Sequence, residues 1–255
     1  MACASEGQKI EMSRSPWLFI ESLPGVNETA VLPVEEGRHG GRSHRLRPGD
    51  TLTLTDGRGR IAHAELLSGD RRETRVRVAE VHEFEPTPSP LHVATAIPKG
   101  ERMSTLLAMT TQLGITSYTP LHCERSVVIP NPDPPPRWDR IVRENAKQSH
   151  QAWMPEVLSA SSPQQWRPPR GTPRIWILDP SGEDTLGTAA ADGNGPQCLL
   201  IGPEGGFTSS EREALRRAGG KTVSLGGPIL RIETAAVAAV SILGAALSQS
   251  EKASG

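Results

Sequence analysis

Paired cysteines, a surplus of one charge and a long apolar run are all missing from this 255-residue chain, and each absence removes a class of protein. The three cysteines, Cys3, Cys123 and Cys198, are odd in number and far apart, which excludes a disulfide framework and the paired spacing of a cysteine zinc site. They read as structural or incidental residues of a protein in a reducing cytoplasm, and no metal is expected. A formal net charge of -1 argues against attachment to nucleic acid by bulk charge while leaving room for a local patch. Glu6, Lys9 and Glu11 stand where a signal peptide would carry its apolar core, and the most apolar helical stretch, Thr234 to Leu247, is too short to span a bilayer. Neither secretion nor membrane insertion is expected.

What the chain does have is a pair of glycine-rich turns near its end. Cys198-Leu199-Leu200-Ile201 is short, continuous and apolar, as a strand buried on both faces should be. It runs into Gly202-Pro203-Glu204-Gly205-Gly206-Phe207, and Thr208, Ser209 and Ser210 then lead into a charged helix beginning near Glu211. A second turn follows at Leu225-Gly226-Gly227-Pro228-Ile229-Leu230-Arg231-Ile232-Glu233-Thr234-Ala235. In open α/β sheets ligands sit at the carboxyl ends of strands, so two turns of this kind outline a cleft. Glycines there, with Gly205 and Gly226 expected at positive φ, let main-chain groups approach a flat heterocycle closely. Either turn alone is equally compatible with a plain αβ connection that binds nothing.

The rest of the chain separates into a β-rich front and an alternating back. Trp17 to Ile20, Thr51 to Thr55 and Arg75 to Val81 read as strands of a small barrel or sheet, with a turn at Asp56-Gly57. Pro86, Pro88 and Pro90 form a linker that continues neither helix nor central strand. Beyond it come a strand over Leu91 to Ile97, a helix over Glu101 to Leu113, a strand over Ile115 to Leu121, a helix from Trp138 to about Ala152 and a strand over Arg174 to Leu178. The region from Ala189 to Gly195 reads as a loop. The closing helix, Glu233 to about Gln249, is apolar almost all round, through Val237, Val240, Ile242 and Leu243, and calls for burial in the core or against a second subunit. A parallel sheet results. Gly220-Lys221-Thr222 lacks the upstream glycine of a P-loop, and Gly57-Arg58-Gly59-Arg60-Ile61-Ala62 opens no helix, so neither marks a nucleotide site.

The two turns together resemble the signature of the RsmE family of 16S rRNA uracil-N3 methyltransferases, members of the SPOUT class. Both halves are present in full, at Ile201 to Phe207 and at Leu225 to Ala235, and a weaker likeness runs from about Arg14 to Leu247. The resemblance implies an α/β fold in which a small PUA-like β-barrel domain (14–85) precedes a SPOUT, trefoil-knotted parallel α/β methyltransferase domain (91–249). It implies S-adenosylmethionine as cofactor, held by Leu178, Ile201, Gly202, Pro203, Glu204, Gly205, Gly206, Leu225, Gly226, Ile229, Leu230, Arg231 and Thr234. It also implies a homodimer acting in the cytoplasm on 16S rRNA or the small ribosomal subunit. Met1 to Ser13 extends beyond the family's usual start and is expected to be disordered.

The chemistry of such a reaction points to particular side chains. Uracil N3 is a poor nucleophile until its proton leaves, and the imide anion then spreads charge onto two carbonyl oxygens. A guanidinium aimed at one of them acts as an oxyanion hole does, and Arg231 is the candidate catalytic residue. The competing reading pairs Arg231 with Glu233 or with a carbonyl. Glu204 and Glu233 are the carboxylates within the turns, and water is the third candidate for proton acceptor. Glu233 has a helix dipole behind it, which favours its charged form and disfavours it as a base.

RNA contacts are expected from the front domain. Between Gly37 and Arg60, six arginines (Arg38, Arg42, Arg45, Arg47, Arg58 and Arg60) face only Asp50 and Asp56, with His39 and His44 beside them. The family pattern retains His39, Arg45 and Gly49-Asp50 there, with Ser43-His44 in place of its Val-Leu, Arg42 belongs to the same basic patch, and Arg14, Lys99, Arg102 and Arg125 fall at its other basic positions. Three charged positions of that pattern are lost, at Met109, Gln112 and Gln151, with Lys147 and His150 as the nearest substitutes. Those losses keep two other readings open: a catalytically altered RNA-binding relative, or a methyltransferase with a different RNA target. An unrelated α/β enzyme holding a nucleotide phosphate at Gly202 to Phe207 is the remaining alternative.

Overall fold

The computed structural model describes residues 15–37, 46–69, 73–172, 174–191 and 195–253, so the extension up to Ser13 lies outside the described residues. The chain forms two compact units. One comprises the residues up to Pro86 together with Arg143–Met154; the other comprises Thr87–Val142 together with the residues from Pro155 onward.

The first unit is a five-stranded sheet in the order β1-β3-β4-β5-β2, from β1 (Trp17–Phe19), β2 (Thr29–Val31), β3 (Thr51–Thr55), β4 (Arg60–Gly69) and β5 (Thr74–Glu83). β1 runs parallel to β3 and the remaining pairs are antiparallel. Leu52 and Leu54 point into a core shared with Ala62, Ala64, Leu66, Val76 and Val78. Thr53 and Thr55 on the opposite face are buried as well, so this alternating strand is covered on both sides rather than one. The Asp56-Gly57 turn joins β3 to β4: Gly57 sits at φ 67, and the Asp56 carboxylate accepts the backbone N–H groups of Arg58 (2.7 Å) and Arg60 (3.1 Å). The glycine pattern at 57–62 is thus a hairpin, as its lack of a following helix requires. β2 and β4 escape the hydrophobic pattern because β2 is short and the core face of β4 is built largely from alanine.

The second unit carries a six-stranded sheet in the order β11-β9-β10-β6-β7-β8, in which every neighbouring pair is parallel. Its strands are β6 (Leu91–Ala96), β7 (Ser117–Leu121), β8 (Glu156–Val157), β9 (Arg174–Leu178), β10 (Gln197–Ile201) and β11 (Gly220–Val223). Helices α1 (Arg102–Gln112), α2 (Pro136–Gln148), α3 (Leu186–Ala189), α4 (Ser209–Arg217) and α5 (Ile232–Ala253) complete the described elements. The α3 turn occupies the start of the segment expected to be a loop, and Thr185 caps it by accepting from the Thr188 N–H. α5 buries Ile232, Ala236, Ala239, Val240 and Leu243 within the same chain, packing on α1, α3, β6 and β10. Val240 and Leu243 therefore need no second subunit to cover them, and only Val237 and Ile242 of the four remain half-buried. Among the described residues no helix is long and apolar enough to cross a membrane.

Lys147, at the end of α2, is buried in the first unit rather than presented to a ligand. Its Nζ donates to both oxygens of Glu36 (2.8 and 2.9 Å) and also lies 3.0 Å from Glu144. Glu36 additionally accepts the Phe19 N–H at 3.0 Å, which ties the pair to β1. The side chains of Lys147 and Glu36 are 4% and 8% exposed, so removing one partner strands the other charge away from water. His150, at φ 54, stacks on Trp17 with ring centroids 4.8 Å apart. Both residues are structural, and neither replaces the charges lost at Met109, Gln112 and Gln151. Lys147→Met should lower the free energy of unfolding by about 3 to 5 kcal/mol in urea titrations. Adding Glu36→Gln should restore a substantial part of it, because no unpaired charge then remains.

Candidate functional site

A parallel sheet places every carboxyl end on one edge, and the loops of interest all leave from that edge. The first turn follows β10. Its Gly206 N–H donates to the Pro203 carbonyl at 2.8 Å, and Gly206 stands at φ 69. Positive φ therefore belongs to Gly206, not to Gly205 as expected, because Gly206 is the residue that closes the turn. Gly205 is constrained differently: a Cβ there would lie 3.3 Å from Arg125 Cδ, and Arg125 donates to the Gly205 carbonyl at 2.7 Å. Gly202 is held against buried Phe207, whose ring and backbone nitrogen would stand 3.1 Å from an added Cβ.

Behind this turn, Thr208 caps α4 in a reciprocal box with Glu211. The Glu211 carboxylate accepts the Thr208 N–H at 2.8 Å, and the Thr208 hydroxyl accepts the Glu211 N–H. The other Glu211 oxygen accepts the N–H of Glu124 at 2.7 Å, in the loop after β7. Glu211 is 1% exposed, and two backbone N–H donors, one to each oxygen, at a helix N-terminus account for a carboxylate at that depth. The loop after β7 is thus fastened to the first turn twice, by Glu211 and by Arg125.

The loop after β9 is fastened from the other side. Arg212 donates to the Phe207 carbonyl (3.0 Å) and to Asp179 (3.3 Å), and Asp179 also accepts the hydroxyl and N–H of Ser181. Burial pushes the Asp179 carboxyl up, but the Ser181 hydrogen bonds and the Arg212 guanidinium outweigh it and hold it below the usual carboxylate range. Gly182 lies so close to Val223 that a Cβ would overlap the β11 backbone, and Ser224 exchanges backbone hydrogen bonds with Asp184 and Leu186.

The second turn follows β11, with Gly226 at φ 68 and Gly227 at φ 79. An added Cβ at Gly206 or Gly227 would meet nothing within 4 Å, and at Gly226 only Thr185 Cγ2 at 3.9 Å. Dihedral angle, not crowding, requires glycine at these three positions, so their backbones remain open to a ligand. Leu178, Leu225 and Leu230 are half-buried at the margin of the core, while Glu204, Gly205, Thr234 and Ile229 are exposed, Ile229 by 83%.

Arg231 is exposed, and no hydrogen bond or ion pair engages its guanidinium among the described residues. Its competitor reading, a pair with Glu233, does not form, because Glu233 lies 3.8 Å from Arg102. The second Glu233 oxygen is buried without a hydrogen-bond partner. Lys99 and Arg125 are exposed, whereas Arg102 is engaged by Glu233 and Arg125 by Gly205. Arg14, His39, Arg42 and Arg45 lie outside the described residues. Of the patch arginines that are described, Arg47 and Arg58 are exposed, while Arg60 donates to the Leu23 carbonyl and pairs with Glu83. Burial pushes the Cys123 and Cys198 thiols up to about 12, so neither supplies a thiolate nucleophile. The contacts of Glu124 with Glu211, Arg125 with Gly205 and Arg212 with Asp179 span too much sequence for any local pattern to reveal them.

A cavity of about 160 Å³ lies away from these turns, lined by His92, Ser117, Thr119, Trp166, Arg167 and Cys198. It contains none of the turn residues, and the open edge rather than this cavity carries the convergent main-chain groups.

Comparison with known proteins follows the same division. The RNA methyltransferase domain family matches residues 85–244, and the RNA methyltransferase PUA domain family matches residues 32–78. The ribosomal RNA small subunit methyltransferase E of Mycobacterium bovis is 31% identical over 237 residues, covering 89% of this chain and 90% of that relative. Its counterpart from Bacillus subtilis is 30% identical over 242 residues, covering 88% and 91%. The crystal structure of the Neisseria gonorrhoeae ribosomal RNA small subunit methyltransferase E bound to S-adenosyl methionine superposes with a TM-score of 0.81 at 26% identity, covering 91% of this chain and 98% of that one.

Proposed function

The chain belongs to the ribosomal RNA small subunit methyltransferase E family, and from that premise we propose that it methylates N3 of a uridine in 16S ribosomal RNA, with S-adenosylmethionine as the methyl donor. The observation that carries this reading is the pair of glycine turns flanking the end of β9, with the side chain of Arg231 uncommitted in the second. The domain division at 14–85 and 91–249, the trefoil knot and a cytoplasmic location come with the same reading.

The residues suit the cofactor. Gly206, Gly226 and Gly227 leave open backbone on both turns, which favours recognition of an adenine by main-chain groups, with Leu178, Leu225 and Leu230 as its apolar walls. S-adenosylmethionine supplies an electrophilic methyl group when bound. The protein's part is to present N3 of an unpaired or splayed uracil to it, since the N3 edge is hidden in paired RNA. As the N3 proton leaves, Arg231 meets the charge growing on a flanking carbonyl oxygen with a planar, permanently charged fork. Arg102 already engages Glu233, which leaves the exposed Glu204 or solvent at the open edge to take the proton. Lys99, Arg125 and the arginines of the front domain, Arg14, Arg42 and Arg45 with His39, supply the phosphate contacts. Exposure of Met109 at 42%, where the family pattern has a charge, favours as the second reading a relative with a shifted RNA target.

The same proposal includes a homodimer. Its support is the family resemblance and the 83% exposed Ile229 in the cofactor turn, since most of the apolar face of α5 is already covered within the chain. Light scattering at micromolar concentration should give twice the chain mass of 27.4 kDa, and a monomer would remove the dimer from the account.

Gly226→Val should abolish S-adenosylmethionine binding in calorimetry, because a β-branched residue is strained at φ 68 and its side chain would enter the adenine site. Arg231→Ala should keep cofactor affinity within a few fold yet lose about 2.7 to 4 kcal/mol of transition-state stabilisation, roughly 100- to 1000-fold in single-turnover rate. Arg231→Lys should recover little, since a point charge lacks the fork. If Arg231→Ala weakened only RNA affinity and left the saturated rate intact, Arg231 would be a phosphate contact and not the electrostatic catalyst.

A further inference from the structure

The front unit holds a cluster that the methyl-transfer chemistry does not use. His63 on β4 stands directly opposite Glu80 on β5, and His82 follows Glu80 by two residues, on the same face of the strand. One ligand atom from each of the three lies within 4.8 Å of the others. The two imidazoles meet edge to face with centroids 5.5 Å apart. Between His63 and Ala64 the β4–β5 register shifts, so a bulge sits beside the cluster and re-aims the side chains there.

These contacts leave a buried donor of the cluster unsatisfied. The His82 side chain is 13% exposed, and its Nε2 is buried with no hydrogen-bond partner among the described residues. Glu80 Oε1 stands 3.4 Å from that nitrogen, close enough for an ion pair with a protonated ring but without hydrogen-bond geometry. Arg60, on the same strand as His63, pairs with Glu83 one residue out of phase, on the opposite face of the sheet.

We propose that His63, Glu80 and His82 form a binding site for a borderline divalent transition ion of the zinc class. Two imidazoles and one carboxylate are a donor set that such ions favour over magnesium or calcium. With metal–ligand bonds of about 2.0 to 2.2 Å, tetrahedral donors stand about 3.3 to 3.5 Å apart, and the His82–Glu80 pair already has that spacing. Glu80 is 62% exposed and His63 half-buried, so rotation of these two side chains closes the remaining donor spacings, now up to 4.8 Å. Three protein ligands leave a fourth position to water. The site clips β4 to β5 beside the bulge, far in sequence from the glycine turns. Counting cysteines gives no hint of it, because its ligands come together only when the hairpin pairs.

The test is titration of the full-length, chelator-treated protein with Zn2+ by calorimetry, and with Co2+ by visible absorption. One ion per chain should bind, with a Co2+ spectrum of low coordination number. Removing a direct ligand should cost more than the roughly 10- to 100-fold lost with a supporting partner, so His63→Ala and His82→Ala should abolish tight binding. Glu80→Gln, at a solvent-exposed position that tolerates change, should weaken binding by at least about tenfold while circular dichroism stays unchanged. Absence of Zn2+ binding by the unaltered protein at micromolar concentration would overturn the proposal. So would affinity that is the same in Glu80→Gln as in the unaltered protein.

Discussion

Parallel pairing throughout the six-stranded sheet is the constraint on which the rest of the candidate site depends. Because β11, β9, β10, β6 and β7 all point the same way, the loops that follow them leave from one edge, where main-chain groups from distant parts of the chain converge. Reversing any one strand would move its loop to the far side. Side chains then fasten the loops to one another. Glu211 joins the first turn to the loop after β7, and Arg212 joins it to Asp179 at the end of β9. Both residues sit in the first turn of α4, so one short helix sets the position of three loops.

The division of charge at this edge matters as much as its shape. Asp179, Glu211 and Glu233 are each engaged by a donor or a cation, while Arg231 is not. On the proposed reading, an arginine uncommitted among the described residues beside two open backbone turns meets negative charge that appears only during the reaction, the arrangement that favours a transition state over a ground state. Arg125, by contrast, donates one hydrogen bond to Gly205 and acts on the shape of the turn as well as on its charge.

Much of this was legible in the residues. The strands β6, β9 and β10 are short, apolar and bounded by breakers, and the glycine turns announce positive φ through composition alone. The shift of positive φ from Gly205 to Gly206 was not legible, since it depends on which N–H closes the turn. Lys147 reads as a surface charge on an amphipathic helix, and only the fold brings it to Glu36. α5 reads as a helix to be buried in the core or against a second subunit, and its packing on α1, α3 and the sheet covers Val240 and Leu243 within the chain. Contacts between residues distant in sequence, such as Glu124 with Glu211 or Arg102 with Glu233, leave no periodic trace.

The most direct test of the central claim is mass spectrometry of small-subunit RNA incubated with the purified protein and S-adenosylmethionine. The account predicts a single added methyl group, on the base of one uridine and at N3. A methyl group on a ribose or on another base would contradict it, as would no transfer to either naked RNA or the assembled subunit.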